Sequence, residues 1–297
     1  MAISPAILPL LRELGDLKRI HSAGRDGSIA TRMFEGGWAA WLNGDDGSDI
    51  AYRSMAAALA AARLGDLDYG KLQELGLTEK ECITVLHRAI DELSAPLDPE
   101  LCGQLKDRAG EPVRKGRELP GAIVFLRDQP RAGVTGPGRP RIMLQPEENH
   151  AEHSFIVAMY AGLLAPFYDA DPAEAFWHGM IHHLHSAAMP DAGFTGEVLL
   201  GDRLDGVIER ARELALEQLS ESVAATCRDH LVAIADDTSP AARAFHAADV
   251  IDRVIEIEQH LKRGTVTMDL VLDDYGLVHD GPVKSFHDLV LREIGLP

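Results

Sequence analysis

The stretch from residue 148 to residue 185 reads ENHAEHSFIVAMYAGLLAPFYDADPAEAFWHGMIHHLH, and its pattern is helical throughout. An almost uninterrupted apolar segment predicts one helix over 149–167. Asp171 and Pro172 then begin a second helix, because Asp is a favoured N-cap and Pro fits the first helical position. We expect this second helix to continue through His185. Two successive helices of this kind indicate an all-α protein.

The rest of the chain has the same helical periodicity. It predicts further helices over 5–20, 28–43, 50–64, 78–94, 205–235 and 240–264. Strand-like patterns are limited to GAIVFL at 121–126 and TVTMDLVL at 265–272. We therefore predict an all-α helical bundle.

Composition and charge restrict the classes of function. The 297 residues are 46% hydrophobic and 26% charged, with a formal net charge of −18. This acidic excess argues against a nucleic acid polymer as partner, because such a partner requires a basic face. Three scattered cysteines and an N-terminus without a secretory pattern predict a cytoplasmic protein. The longest nearly apolar run, 155–168, is too short for a bilayer, so we expect no membrane partner.

The charge reverses its sign between residues 103 and 141, where Gly, Pro and Arg are frequent. This segment has nine basic and four acidic residues. A positive region on an acidic protein can attract an anionic substrate to one face. A basic loop that contacts only solvent fits the pattern equally well, and both interpretations stay open.

Histidines and an aspartate recur at helical spacing in the C-terminal half. His178, His182 and His185 are spaced i, i+4, i+7 and are expected on one helix face. His183 should point about 100° away from His182, and Asp249 lies on a later helix. Imidazoles and carboxylates that project inward from several helices form metal sites in helical proteins. We interpret five further histidines as ordinary core or surface residues: His150, His230, His260, His279 and His287.

ENHAEHS at 148–154, followed by an apolar helix, resembles a signature of HD-domain metal-dependent phosphohydrolases, in particular of their 5′-deoxynucleotidase branch. The opening helix, LPLLRELGDLKRI, also resembles the first helix of that branch. In this superfamily the metal ligands are a first His, a His-Asp doublet at a helix end and a later Asp. The resemblance implies an HD-type bundle with a core formed by residues 1–20 and 140–297 and an inserted segment of helices and loop over 21–139. It also implies His153 as first ligand, His182-His183 at the doublet and Asp249 last.

The chain departs from the family pattern at two positions. His183 replaces the Asp of the doublet, and Ser186 stands where an acidic residue is expected three positions later. The doublet Asp can bridge two metals, whereas a neutral imidazole cannot. The resemblance therefore implies one divalent transition metal per chain, Mn, Co, Fe or Zn. Its expected ligands are His153, His182 and Asp249, with His183 as an additional candidate.

The missing acidic residue leaves the role of proton carrier to other side chains. Glu152, His185 and Glu197 are the predicted catalytic candidates, and Asp191 is an alternative. The loop over 189–197 suits a turn above the site, with Asp191 or Glu197 directed at a ligand. A simple connector between helices is the other interpretation of this loop.

Substrate binding requires positive side chains near the metal. Arg139 and Arg141 lie about where the resembled branch has a substrate-contacting Arg, and we predict that both bind substrate, together with Asp191. A guanidinium pairs with phosphate through two parallel hydrogen bonds, which favours Arg over Lys. Lys18 and Arg19 are further candidates, although we interpret Lys18 as a solvated surface charge.

These residues together predict a metal-dependent hydrolase, specifically a phosphomonoesterase for a nucleotide or a similar small anionic substrate. A catalytically silent HD fold that binds a ligand or a partner protein is an alternative, favoured by the altered doublet. An HD-fold iron oxygenase is another; it keeps the His-Asp doublet and adds two histidines before the last Asp. Here His185, His230 and His246 lie in that interval. A homodimer is a further expectation, since helical enzymes often pair through exposed helices.

Overall fold

The computed structural model describes residues 3–111 and 118–262. Contacts divide the chain into one unit, Met1–Ile255, and a second, Glu256–Pro297, of which residues 256–262 are described. The helices are α1 (Leu8–Gly15), α2 (Ile29–Leu42), α3 (Gly47–Leu64), α4 (Tyr69–Glu74), α5 (Glu79–Leu93), α6 (Pro99–Asp107), α7 (Gly121–Asp128), α8 (His150–Leu164), α9 (Pro172–Ile181), α10 (Gly193–Leu200), α11 (Leu204–Leu216), α12 (Glu221–Ala233) and α13 (Pro240–Lys262). The all-α prediction is confirmed.

No strand occurs within residues 3–111 and 118–262, where β pairing is limited to isolated bridges between Pro130 and Asn149 and between Val134 and Ile142. The predicted strand at 121–126 is wrong, because these residues form α7. A short apolar run fits a buried strand and a buried helix equally well, so its pattern does not discriminate between them. The second predicted strand, at 265–272, lies outside the described residues.

Helix α8 is the centre of the first unit. All of its residues are buried, and α2, α3 and α9 pack around it. A helix that is apolar on every side can only be stable in a core. Its start is fixed by a reciprocal capping box between Asn149 and Glu152, so the first turn, which contains His153, has a defined position.

Gly179 allows α8 and α9 to approach closely. A Cβ atom at this position would lie 2.4 Å from both the backbone N and the Cα of Ala158. Any other residue would therefore push the two helices apart. Because α8 contains His153 and α9 ends immediately before His182, this close contact brings the two histidines together.

The segment predicted as an insertion packs directly on the helices of the predicted core. Trp38 and Trp41 of α2 contact Trp177 of α9, with ring centroids 6.1 and 4.4 Å away, and the Trp177 indole donates a hydrogen bond to the carbonyl of Gly47. The boundaries of core and insertion stay a prediction.

Several helices end earlier than their periodicity predicts. Helix α9 ends at Ile181, and residues Leu184–Ala187 form a separate 3-10 turn. The predicted helix over 205–235 is two helices, because Ser220 caps a new helix after α11. The loop expected over 189–197 contains the start of α10. Among the described helices, none combines the length and the apolar character required to cross a membrane.

Candidate metal centre

Two of the predicted ligands, His182 and Asp249, approach one ring nitrogen of a third, His153. This side chain is fully buried, and its Nε2 atom lies 3.3 Å from Nε2 of His182 and 3.2 Å from Oδ1 of Asp249. The three residues come from α8, from the residue after α9, and from α13. The structure thus brings together side chains that are far apart in sequence.

Hydrogen bonds on the opposite ring nitrogens orient both imidazoles. His153 Nδ1 lies 2.8 Å from Oδ2 of Asp252, and His182 Nδ1 lies 2.7 Å from the carbonyl oxygen of Gly179. Both partners accept, so each Nδ1 donates, and in the neutral form of either ring Nε2 keeps its lone pair. A carboxylate or carbonyl behind the ring is the usual support for a metal-binding histidine.

Lys18 pairs with Asp252, the residue that orients His153, and so extends this hydrogen-bonded support into the core. Its Nζ atom lies 2.9 Å from Asp252 Oδ1 and 2.6 Å from Glu148 Oε1, and all three side chains are buried. The interpretation of Lys18 as a solvated surface charge is therefore wrong. A charge this deep persists only when it is paired. Lys18, together with Arg131, keeps the pKa of Glu148 well below its usual range although burial acts to raise it.

His183 lies beside His182 rather than on another face. Because α9 ends at Ile181, no continuing helix sets the 100° angle, and the two ring centroids are 4.1 Å apart. Ligand atoms of His153, His182 and His183 all lie within 4.8 Å of one another. The expected common face of His178, His182 and His185 is interrupted for the same reason: Phe245 contacts the rings of both His178 and His182, whereas His185 lies next to His183.

The pKa values in the cluster keep most imidazoles neutral. Burial, and then the neighbouring imidazoles, lower the pKa of His182 to about 3 and that of His183 well below its usual value. Burial also acts to lower the pKa of His153, but the carboxylates of Asp249 and Asp252 outweigh it and raise that pKa. Neutral imidazoles with free lone pairs are the form that binds metals.

The residues present fit a divalent transition metal. Imidazole nitrogens with one carboxylate oxygen are the donors that Zn, Fe and Co accept. Two of these donors, Nδ1 of His183 and Oδ1 of Asp249, are buried and have no hydrogen-bond partner in the part of the chain that the structure describes. A bound cation would satisfy such atoms.

A second group of buried polar atoms surrounds His183. The ring of His150 lies 4.7 Å from that of His183, and both nitrogens of His150 lack a hydrogen-bond partner among residues 3–111 and 118–262. Arg131 also has a buried, unpartnered Nη1 atom, while its Nε lies 3.7 Å from Glu148 Oε2. Burial, and then the charge of Arg131, lower the pKa of His150 to about 2.

Sequence reasoning missed both His150 and Arg131. His150 was interpreted as an ordinary residue, and Arg131 was only one of nine charges in the basic segment. Backbone pairing brings Arg131 to the site, because its N–H donates to the carbonyl of Glu148 at 2.8 Å. No sequence periodicity signals such an isolated pairing; the positive charge of the segment was the one available sign.

The predicted catalytic residues lie at different distances from the cluster. Glu152 is engaged in its capping box and accepts from Thr31 Oγ1 at 3.4 Å, and burial raises its pKa. His185 is next to His183, with ring centroids 5.3 Å apart; burial, and then the charge of Arg212, lower its pKa to about 4. Glu197 is exposed on α10.

The predicted substrate-binding residues stabilise the neighbouring loop. Asp191 accepts backbone hydrogen bonds from Ala132 and Gly193, at 2.9 and 2.8 Å, and one of its oxygens lies 3.7 Å from His150 Nε2. Arg141 is exposed and donates to the carbonyl of Ala132 at 2.8 Å, and Arg139 is exposed.

Of the three histidines considered for a second iron, His185 lies next to His183, whereas His230 and His246 do not reach the cluster. Nδ1 of His230 lies 3.0 Å from Nδ1 of His178, and His246 Nε2 lies 3.1 Å from the carbonyl oxygen of Ile234. This placement argues against the oxygenase alternative. His279 and His287 lie outside the described residues, and the described His260 contacts Glu256.

Comparison with known proteins gives one match. A family model described as HD domain matches residues 125–274, which is half of the chain and includes every predicted metal ligand. Searches of curated proteins and of solved structures gave no match.

Proposed function

Because the chain belongs to the HD-domain family, we propose that it is a metal-dependent phosphohydrolase for the phosphomonoester of a nucleotide or a similar small phosphate. The convergence of His182 and Asp249 on Nε2 of His153, next to the partly buried guanidinium of Arg131, is the observation that supports this most. The likeness of residues 148–154 to the 5′-deoxynucleotidase signature favours a nucleoside monophosphate.

His153, His182 and Asp249 would hold the metal, with His183 as a fourth donor. We propose one ion per chain, Mn, Co, Fe or Zn, because an imidazole at position 183 replaces the carboxylate that would bridge two. Such an ion supplies Lewis acidity toward the phosphoryl group and activates the attacking water.

Arg131 and His150 would bind the phosphate oxygens. A guanidinium presents parallel N–H donors to phosphate, and the neutral His150 ring adds another N–H donor. Both side chains have buried polar atoms without partners among the described residues, so an anion would restore hydrogen bonds that folding has left unmade.

His185 would orient the leaving group. With a pKa of about 4, it is neutral at pH 7, so it donates a hydrogen bond there and carries no extra proton. Glu152 is engaged in the helix cap, and we assign it a structural contribution to the position of His153.

The proposal is tested by metal content and phosphate release. We expect about one equivalent of transition metal at this cluster in protein purified without chelator or histidine tag. After loading with Mn, Co, Zn or Fe, the protein should release phosphate from deoxyribonucleoside or ribonucleoside monophosphates. His153→Ala and Asp249→Ala should each remove one equivalent of metal and abolish phosphate release. A folded protein that retains no metal under any loading would indicate the silent binding protein instead.

Arg131 and Arg139 provide a matched pair for the substrate assignment. Arg131→Met should raise KM, because it removes the partly buried guanidinium at the cluster, whereas Arg139→Met changes an exposed side chain and should leave KM unchanged. The reverse result would support the sequence-based assignment and contradict the structural one.

A further inference from the structure

His178 and His230 form a second pair of histidines, and His178 lies one helical turn before His182. His178 of α9 and His230 of α12 have their Nδ1 atoms 3.0 Å apart, with ring centroids at 4.9 Å and planes at 80°. Phe245 contacts His182 on one side and His178 on the other, with centroid distances of 5.1 and 6.3 Å. The pair joins two helices and belongs to no part of the site described above.

The spacing of the two nitrogens fits two ligands of one ion. Nitrogens bound to a single Zn²⁺ at about 2.0–2.1 Å are about 2.9–3.4 Å apart for common coordination angles. The observed 3.0 Å lies in this range, as does the 3.3 Å between His153 and His182. Two facing lone pairs at this distance repel each other unless a proton or a cation lies between them.

The rest of the His178 ring is compatible with a cation between the two Nδ1 atoms. His178 is 1% exposed, and its Nε2 atom is buried without a hydrogen-bond partner in the described ranges. If His178 donates through Nδ1, Nε2 is a bare buried lone pair. If Nδ1 binds an ion, or accepts from His230, Nε2 carries the proton and lies 3.9 Å from Oε1 of Glu174. A carboxylate behind a metal-binding imidazole is the usual arrangement.

The solvent access of His230 and the protonation state of both rings are compatible with a bound cation. His230 is half-buried, so an ion can approach from solvent. Burial lowers the pKa of His178 to about 4 and also lowers that of His230, so both rings are neutral at pH 7. Neutral imidazole is a ligand for Zn, Co, Ni and Cu.

We propose that His178 and His230 bind a second divalent transition metal ion, such as Zn²⁺, that connects α9 to α12. Solvent completes its coordination on the half-exposed side of His230. This proposal is independent of the proposed hydrolase, because it involves neither His153 nor Asp249.

The test is Zn²⁺ binding by isothermal titration, which requires no enzyme activity. Metal-free wild-type protein should bind two equivalents, one at the cluster of His153 and one at this pair. His182→Ala should retain one, and His230→Gln should lose one while it keeps the other. His246→Gln is the matched control, since this nearby imidazole contacts the Ile234 carbonyl and should leave both equivalents bound.

Nitrogen NMR of the wild-type histidine side chains provides a measurement that does not depend on a variant folding. Zn²⁺ should shift the Nδ1 signals of both His178 and His230 and leave their Nε2 atoms protonated. Unshifted Nδ1 signals, or a second equivalent that survives in folded His230→Gln, would show that the pair is only an N–H···N hydrogen bond.

Discussion

The polar groups on the two sides of His153 differ in how completely they are paired. On the paired side, Lys18, Glu148 and Asp252 form short buried contacts that end at His153 Nδ1. On the open side, formed by His150, His183, His185 and Arg131, each residue has at least one buried polar atom without a partner among the described residues. Buried polar groups are normally satisfied. The paired side therefore maintains geometry, and the open side is where a ligand is expected.

The largest expected effect is on the paired side. Lys18→Met removes the cation between Glu148 and Asp252 and leaves two buried carboxylates with reduced compensation. Breaking such a pair costs about 3–5 kcal/mol in the free energy of unfolding. Urea unfolding of the metal-free protein measures this cost. Lys71→Met, which breaks an exposed pair with Glu74, is the control and should cost less than about 1 kcal/mol. Equal effects of the two substitutions would remove the distinction between a buried and an exposed lysine.

Asp252→Asn tests whether the paired side acts on the metal. An amide is a weaker acceptor for His153 Nδ1–H and cannot pair with Lys18 as a carboxylate does. Loss of support behind a ligand lowers metal affinity about 10–100-fold. A chelator-competition titration measures the affinity, with Asp128→Asn as an exposed carboxylate control. An unchanged affinity would mean that Asp252 serves folding alone.

Arg131→Met tests the open side. It should increase KM about tenfold or more, equivalent to about 1.4 kcal/mol of lost binding. The free energy of unfolding should change less than in Lys18→Met, because Arg131 Nη1 has no partner in the described ranges and its Nε lies 3.7 Å from Glu148, whereas Lys18 lies 2.6 Å from it. Steady-state kinetics and urea unfolding together measure both effects. A large loss of stability without a change in KM would place Arg131 on the paired side.

His150→Leu has the smallest expected effect on the free energy of unfolding, and unlike the substitutions above it is not expected to lower it. Neither ring nitrogen has a hydrogen-bond partner in the described part of the chain, so an apolar side chain of similar size should be neutral or slightly stabilising. Inhibition by inorganic phosphate should nevertheless weaken several-fold. Thermal unfolding and an inhibition series measure the two quantities. Clear destabilisation would show that His150 makes an interaction needed for folding.

The sequence contains local signals for most of the helices and for their beginnings. Thr78 with Glu81 forms the capping box that their spacing predicts, and Asp171 with Pro172 begins α9 as expected. The ends of the helices are harder to predict, because none of the residues directly after Ile181 indicates that the helix ends there. That single difference moved His183 next to His182 and separated His178 from His185.

The candidate site could be predicted where the ligand order of the family identifies residues. It could not be predicted where two residues that are far apart in the sequence form a pair. His153, His182 and Asp249 follow from a known order of ligands, and the structure places them within contact distance. Lys18 could not be placed, because its partner Asp252 is separated from it by 234 positions and a basic residue at a helix end is normally exposed. Tertiary contacts of this kind leave no periodic pattern in a sequence.

The contact between Gly179 and Ala158 has a consequence for ion size. It sets how closely α8 and α9 approach, while the carbonyl of Gly179 also orients His182. The opening between His153 and His182 is therefore determined by backbone atoms, which cannot adjust as a rotamer can. A larger residue at position 179 would widen this opening and weaken the simultaneous binding of one small transition metal ion by both imidazoles of the proposed centre. In that centre, a glycine that binds nothing itself would thus set the size of the ion.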